Sequence, residues 1–157
     1  MRRSRLVRTV AFMPIQQLHE TPPTLDAGIV ERLSVALNRC FETLEAAEDV
    51  FAEDVFVDLY PPFWRFQLQG RAAFAAQLRA ISEGVSSSRI LRVVPTASGF
   101  VMEHEETERG ERTEVARKLW LCEVRDHRIT ELTGYCNGGW DDELRARHAA
   151  EAPMLRP

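Results

Sequence analysis

The run Val101-Met102-Glu103-His104-Glu105-Glu106 sets one histidine among carboxylates. Side chains alternate along a strand, so Phe100, Met102, His104 and Glu106 share one face. Pairing with the next run sets Arg117 opposite His104. An imidazole between a cation and a carboxylate in an apolar cleft is tuned for proton transfer. Glu123 is a second candidate, because a carboxyl turned into a core has its pKa raised toward neutrality. Each has a plainer alternative: His104 satisfied by Glu106 or a backbone carbonyl, and Glu123 paired with Arg89, Arg92 or Arg125. Asp58 and Tyr60 end the run Val55–Tyr60, where one of them can face a pocket mouth. Asp58 can equally cap the Pro61-Pro62 turn. The aromatic loop from Tyr60 to Phe66 places Trp64 and Phe66 as a lid over a flat ligand, or else as a core or dimer patch.

Other chemistries lack their signatures. The histidines and cysteines have no ligand spacing, so no metal is expected. No Ser-His-Asp pattern, phosphate loop or dinucleotide fingerprint is present, and no cofactor is expected. A net charge of −4 gives no reason to expect nucleic acid. The one basic cluster, Arg2, Arg3, Arg5 and Arg8, reads as a solvated arm. The apolar stretch after it is short and broken by Arg8, which argues against a secretory segment, and no run is long enough to span a membrane. Cys40, Cys122 and Cys136 make an odd count without CxxC spacing and read as reduced thiols of a cytoplasmic protein. Lys118 is the only lysine against nineteen arginines, a bias that GC-rich coding accounts for without chemistry.

The elements that must position these groups form an α+β chain. Residues 1–26 read as an arm, 27–151 as one domain and 152–157 as a tail. Asp26 is a helix cap, followed by Ile29, Leu33, Leu37, Cys40, Phe41 and Leu44 at helical spacing. A short helix is expected over about Leu44 to Phe51, a strand over Val55–Tyr60, and a further short strand within Phe63–Gln69. A helix from Arg71 to about Glu83 is closed by Gly84 and Ser86–Ser88. Four strands follow: Arg89–Pro95, Gly99–Glu108, Thr113–Arg125 and Arg128–Gly138, with a last helix over Trp140–Glu151. Two-residue turns at Gly110-Glu111 and Asp126-His127 predict a meander in which Met102 faces Leu119 and Leu119 faces Gly134. The inner face then carries Met102, His104, Arg117, Leu119, Glu123 and Cys136. Lys118, Trp120 and Tyr135 fall on the outer one. A slip of one residue at either turn would exchange the faces.

This layout resembles the nuclear transport factor 2-like superfamily, in particular its SnoaL-like polyketide cyclases and ketosteroid isomerases. The resemblance is carried by Phe51-Ala52-Glu53-Asp54-Val55, Gly70-Arg71-Ala72-Ala73-Phe74, Val124-Arg125-Asp126-His127-Arg128-Ile129 and Tyr135-Cys136-Asn137, over about residues 28 to 140. It implies a cone-shaped sheet wrapped around the helices, an apolar pocket between them, and a homodimer through the outer sheet face, with Trp120, Tyr135 and Lys118 in the interface. The cyclases' catalytic aspartate falls on Asn137, a neutral amide that can orient but not accept a proton, and their partner histidine falls on Glu123. The isomerases' base falls on Leu59, next to Asp58, which a bulge would bring inward; their oxyanion-hole aspartate falls near Leu119.

The expectation is a cofactor-free cyclase or isomerase of bacterial secondary metabolism acting on a hydrophobic small molecule. His104 and Glu123 would move protons, with Asp58 in reserve, and Asn137 and Tyr60 would orient a carbonyl or hydroxyl. Trp64, Phe66, Met102, Arg117, Leu119 and Cys136 would hold the substrate. The alternative is a dimeric domain that binds a ligand or a partner without catalysis.

Overall fold

The computed structural model describes residues 24–81, 85–109 and 112–152. The expected arm lies almost wholly outside them. Among the described residues the element order is α1 (Ala27–Thr43), β1 (Phe51–Tyr60), β2 (Phe66–Gln69), α2 (Arg71–Ile81), β3 (Val85–Pro95), β4 (Gly99–Arg109), β5 (Thr113–Arg125), β6 (Arg128–Cys136) and α3 (Asp142–Glu151). The six strands form one curved sheet in the order β2-β1-β6-β5-β4-β3, antiparallel except for the β1–β6 pair. Its concave face is closed by α1, which buries Val30, Leu33, Leu37, Cys40 and Phe41, and by Phe74 and Leu78 of α2. No helix of the described residues is long and apolar enough to cross a membrane.

The cap on α1 is the one expected. Asp26 Oδ1 accepts from the backbone N–H groups of Gly28 and Ile29, at 3.0 and 3.1 Å. Both are donors that the first helical turn leaves without partners. Replacing Asp26 by alanine should cost about 1 kcal/mol in urea unfolding. A loss under a few tenths would show that water serves these donors equally well.

Two sequence expectations fail in local structure. The short helix over Leu44 to Phe51 does not form. Leu44 takes the left-handed conformation at the end of α1 (φ 58°), a single turn brings the N–H of Phe51 to the Ala47 carbonyl (3.0 Å), and β1 starts at once. Ser86–Ser88 do not form a loop but belong to β3, paired to the outer half of β4.

The larger correction concerns register. The turn between β4 and β5 spans three residues rather than two, because Arg109 pairs with Thr113. Every residue of β5 is thereby displaced by one against β4, so Met102 faces Trp120 and His104 faces Lys118. At the other hairpin the two-residue turn holds, with Asp126 and His127 both at positive φ as the tightest hairpin turns require. A bulge between Glu123 and Val124 then shifts the pairing by one, and Trp120 comes to face Gly134. The two displacements cancel. The faces of β4 and of most of β6 are as expected, while those of β5 are exchanged: Ala116, Lys118, Trp120, Cys122 and Val124 point inward, and Arg117, Leu119, Leu121 and Glu123 outward.

Candidate functional site

With β5 turned over, the middle of the cone carries a polar line among apolar neighbours. His104 of β4 is fully buried. Its Nε2 accepts a hydrogen bond from Trp120 Nε1 at 2.7 Å, which leaves the ring proton on Nδ1 to be donated to Ser88 Oγ at 3.0 Å. Ser88 Oγ in turn donates to Asn38 Oδ1 (2.7 Å), and Asn38 Nδ2 donates back to the Ser88 carbonyl (3.2 Å). Phe41 packs against both rings, its centroid 4.8 Å from each. Burial, reinforced by the Lys118 charge, lowers the His104 pKa from 6.5 to about 3. The imidazole is therefore neutral and doubly satisfied. Two positions further out on β4, Glu106 is buried at 1% exposure and its Oε2 accepts from Lys118 Nζ. Burial raises the Glu106 pKa, and Lys118 offsets part of the rise. Glu106 Oε1 has no hydrogen-bond partner; His104 Nε2 lies 3.6 Å from it. An orphaned carboxylate oxygen in the interior is costly unless a proton, a water or a ligand meets it.

Beside this line lies a cavity of about 100 Å³. Phe41, Leu59, Phe66 and Leu78 form its apolar walls, and Trp120 and Gly134 line it where β5 meets β6. Among the described residues Lys118 is its only charged lining residue and Cys136 its only thiol. Tyr60 and Tyr135, stacked at 4.8 Å, complete the lining with Pro61. An apolar cavity of this size holds a single small ring.

No family model and no curated protein matches the sequence. Solved structures do match. A nuclear transport factor 2-like protein of unknown function from Mesorhizobium loti superposes with a TM-score of 0.60 at 19% identity, over 74% of this chain and 97% of that one. An LEH-like epoxide hydrolase from M. tuberculosis gives 0.58 at 18% identity, over 81% and 98%. A protein proposed to be an isomerase, from Rhodopseudomonas palustris, gives 0.56 at 17% identity, over 72% and 92%. The chain has the nuclear transport factor 2-like fold. At these identities the likeness extends to the fold and no further.

Within the nuclear transport factor 2-like cone, the residues expected to share a site are dispersed. Glu123 is exposed on the outer face opposite Gly99 and Glu131, and is not turned into the core. Its alternative partners Arg89 and Arg92 pair with Glu105 and Glu103 instead. Arg117 and Leu119 are also exposed on the outer face, Arg117 close to Glu103 and Glu105 at 3.8 and 3.7 Å. Asn137 is exposed, and its Oδ1 accepts from the backbone N–H of Arg117 at 2.8 Å, closing the end of the β5–β6 ladder. Asp58 is buried but lies on the opposite face from Val57 and Leu59. There Arg65 binds it in a fork (3.0 and 2.7 Å), with Gln67 and the Tyr60 hydroxyl donating as well. The hydrogen bonds from Arg65, chiefly, lower the Asp58 pKa to about 2, so it stays ionised and occupied. Trp64 is 72% exposed and does not line the cavity. Met102 is buried in the general core.

Tyr60, Phe66 and Cys136 do converge on the cavity. Trp120 and Lys118, expected on the outer face, are inside, while Tyr135 is on the outer face of β6 as expected, 45% exposed, although its ring also reaches the cavity lining. Lys118, Trp120, Ser88 and Asn38 are the interior residues that sequence reasoning missed. Two signals pointed to Trp120 and Lys118, and none to Ser88 or Asn38. A glycine within a strand, Gly134, calls for a bulky side chain across from it. The other is the solitary lysine. Among the described residues no group of three His, Cys, Asp or Glu side chains is arranged to hold a metal ion.

Proposed function

We propose that this chain is a small-molecule enzyme of the isomerase or cyclase kind, working without a cofactor in the cavity beside Lys118. The observation that carries this reading is the Lys118–Glu106 pair. It is a cation lining an otherwise apolar cavity, backed by a buried carboxyl with one free oxygen. A substrate oxygen would be held by Lys118 Nζ, and a proton would be taken up and returned by Glu106, whose raised pKa suits exchange nearer neutrality. His104 takes a different role from the one its sequence context suggested: with both nitrogens engaged, it holds Trp120 and hence the cavity wall. The cavity volume favours a substrate with one ring over a multi-ring polyketide. A place in secondary metabolism and assembly as a homodimer through the outer face near Tyr135 belong to the same proposal and rest on the family resemblance, and location in the cytoplasm rests on the three free cysteines.

The test uses a small cyclic enone in D₂O, with deuterium exchange at the carbon next to the carbonyl followed by NMR. The protein should accelerate exchange over buffer, and Glu106→Gln should lower the rate by about 100-fold or more. The competing reading, a binding domain without catalysis, draws on the full occupation of His104 and Asp58, which leaves Glu106 as the sole interior carboxyl with a free oxygen among the described residues. Enone binding without accelerated exchange would establish that reading instead.

A further inference from the structure

Arginine occupies nineteen of the twenty basic positions in this chain, and lysine only position 118. A coding bias toward arginine would apply at that position as well. Were the role of residue 118 only to neutralise Glu106, arginine would do it better, since its planar fork matches a carboxylate and its charge is permanent. Lysine differs from arginine in one chemical respect that matters here: its amine can lose a proton and become a nucleophile, and a guanidinium in a protein cannot. Position 118 is also where such an amine would be most useful. The side chain is on the inner face of β5 at 18% exposure, it lines the apolar cavity, and its partner is a buried carboxyl whose other oxygen is unengaged.

We infer that Lys118 forms an imine with a small aldehyde or ketone lodged in the cavity, with Glu106 as its proton carrier. The inference deepens the functional reading above and rests on the cavity being the substrate site. Glu106 takes one proton from the Lys118 ammonium, and the freed lone pair on Nζ attacks the carbonyl carbon. A C–N bond forms while the C=O π pair moves to oxygen. The nitrogen passes a second proton to that oxygen, giving the neutral carbinolamine. Glu106 returns its proton to the hydroxyl, which leaves as water as the nitrogen lone pair forms C=N. One ammonium and one carbonyl become one protonated imine and one water, with Glu106 ionised again. Burial of Glu106, which favours its protonated form, supports the first transfer. The apolar walls exclude the bulk water that would hydrolyse the imine.

The experiment is cyanoborohydride trapping near neutral pH, which reduces the imine and spares the ketone, on the full chain with cyclohexanone, read by intact mass and peptide mapping. The only other amine is the chain's α-amino group, which serves as an internal comparison. The expected result is one cyclohexyl group on Lys118, formed about ten-fold or more faster than at the terminus. Cyclohexanol, which occupies the cavity without reacting, should suppress it. Lys118→Arg, which keeps the pair with Glu106, should abolish the adduct, and Glu106→Gln should slow it about ten-fold or more. Should the arginine variant not fold, suppression by cyclohexanol decides the same point on the unaltered protein. Labelling at Lys118 no faster than at the terminus, while cyclohexanol raises the unfolding temperature, would overturn the imine and leave the cavity as a binding site. If neither cyclohexanone nor cyclohexanol raises that temperature, the imine and the cavity reading fall together.

Discussion

Replacing Gly134 by alanine should destabilise the protein by about 3 kcal/mol, measured from the urea-unfolding midpoint. A methyl group built on Gly134 would lie 2.2 Å from Trp120 Cζ3 and 2.7 Å from Cε3. The indole cannot withdraw cheaply: it is stacked on Phe41 at 4.8 Å and its Nε1 donates to His104 at 2.7 Å. Overpacking a core site of this kind costs about 1–3 kcal/mol, and displacing the donor leaves His104 Nε2 without a partner, at a similar further cost. The paired variant Gly134→Ala/Trp120→Phe should recover part of the loss, since a phenyl ring leaves room for the methyl group while retaining the stack. A loss below about 1 kcal/mol in the single variant would show that the indole does not sit against Gly134.

The second large effect is on acid stability. His104 has its pKa lowered from 6.5 to about 3 in the folded chain, first by burial and then by the Lys118 charge. Between those values the unfolded chain binds a proton that the folded one refuses. This contribution is therefore complete above pH 6.5 and is lost as pH falls, with a limiting slope of about 1.4 kcal/mol per pH unit. Glu106 acts in the opposite sense. Burial raises its pKa above 4.5, so the folded chain retains a proton there and loses stability as pH rises through that window. Asp58, held at about 2, is lost as a stabilising group only in stronger acid. Comparing the protein with its His104→Gln variant isolates the histidine. At pH 7.5 the variant should be the less stable, and by pH 5 the gap should have closed by about 1–2 kcal/mol. Parallel pH profiles for the two proteins would mean that His104 is open to protonation in the folded state.

Much of the architecture was legible because it is written in local chemistry. Asp26 before an apolar stripe at helical spacing marks a capped helix, and Gly70, which adopts φ 94°, marks the start of α2. Pro61-Pro62 ends β1 because a proline has no N–H to give the ladder. The expected helix after Leu44 failed for the complementary reason. Its residues carry helical propensity, but Val50 and Phe51 are buried in the sheet core, and that burial outweighs propensity over so short a stretch.

The site was harder to read, and the difficulty is concentrated in β5. Both of its faces carry apolar side chains: Ala116, Trp120, Cys122 and Val124 on one, Val115, Leu119 and Leu121 on the other. With alternation so weak, the strand's orientation depends on one extra residue in a turn and one bulge, and each reverses every side chain beyond it. By itself the sequence determined the order of elements apart from the helix expected after Leu44, the inward face of β4 with His104 and Glu106, and the absence of a carboxylate at Asn137. Those follow from spacing and residue type, which are local. Only the tertiary structure decided that Lys118 and Trp120 point inward while Glu123, Arg117 and Leu119 point outward. Only it showed that Asp58 is tied to Arg65, and that His104 is bonded on both sides while Glu106 keeps a free oxygen. Those depend on which strand residue stands opposite which, a relation set by closure of the whole sheet rather than by any segment of it.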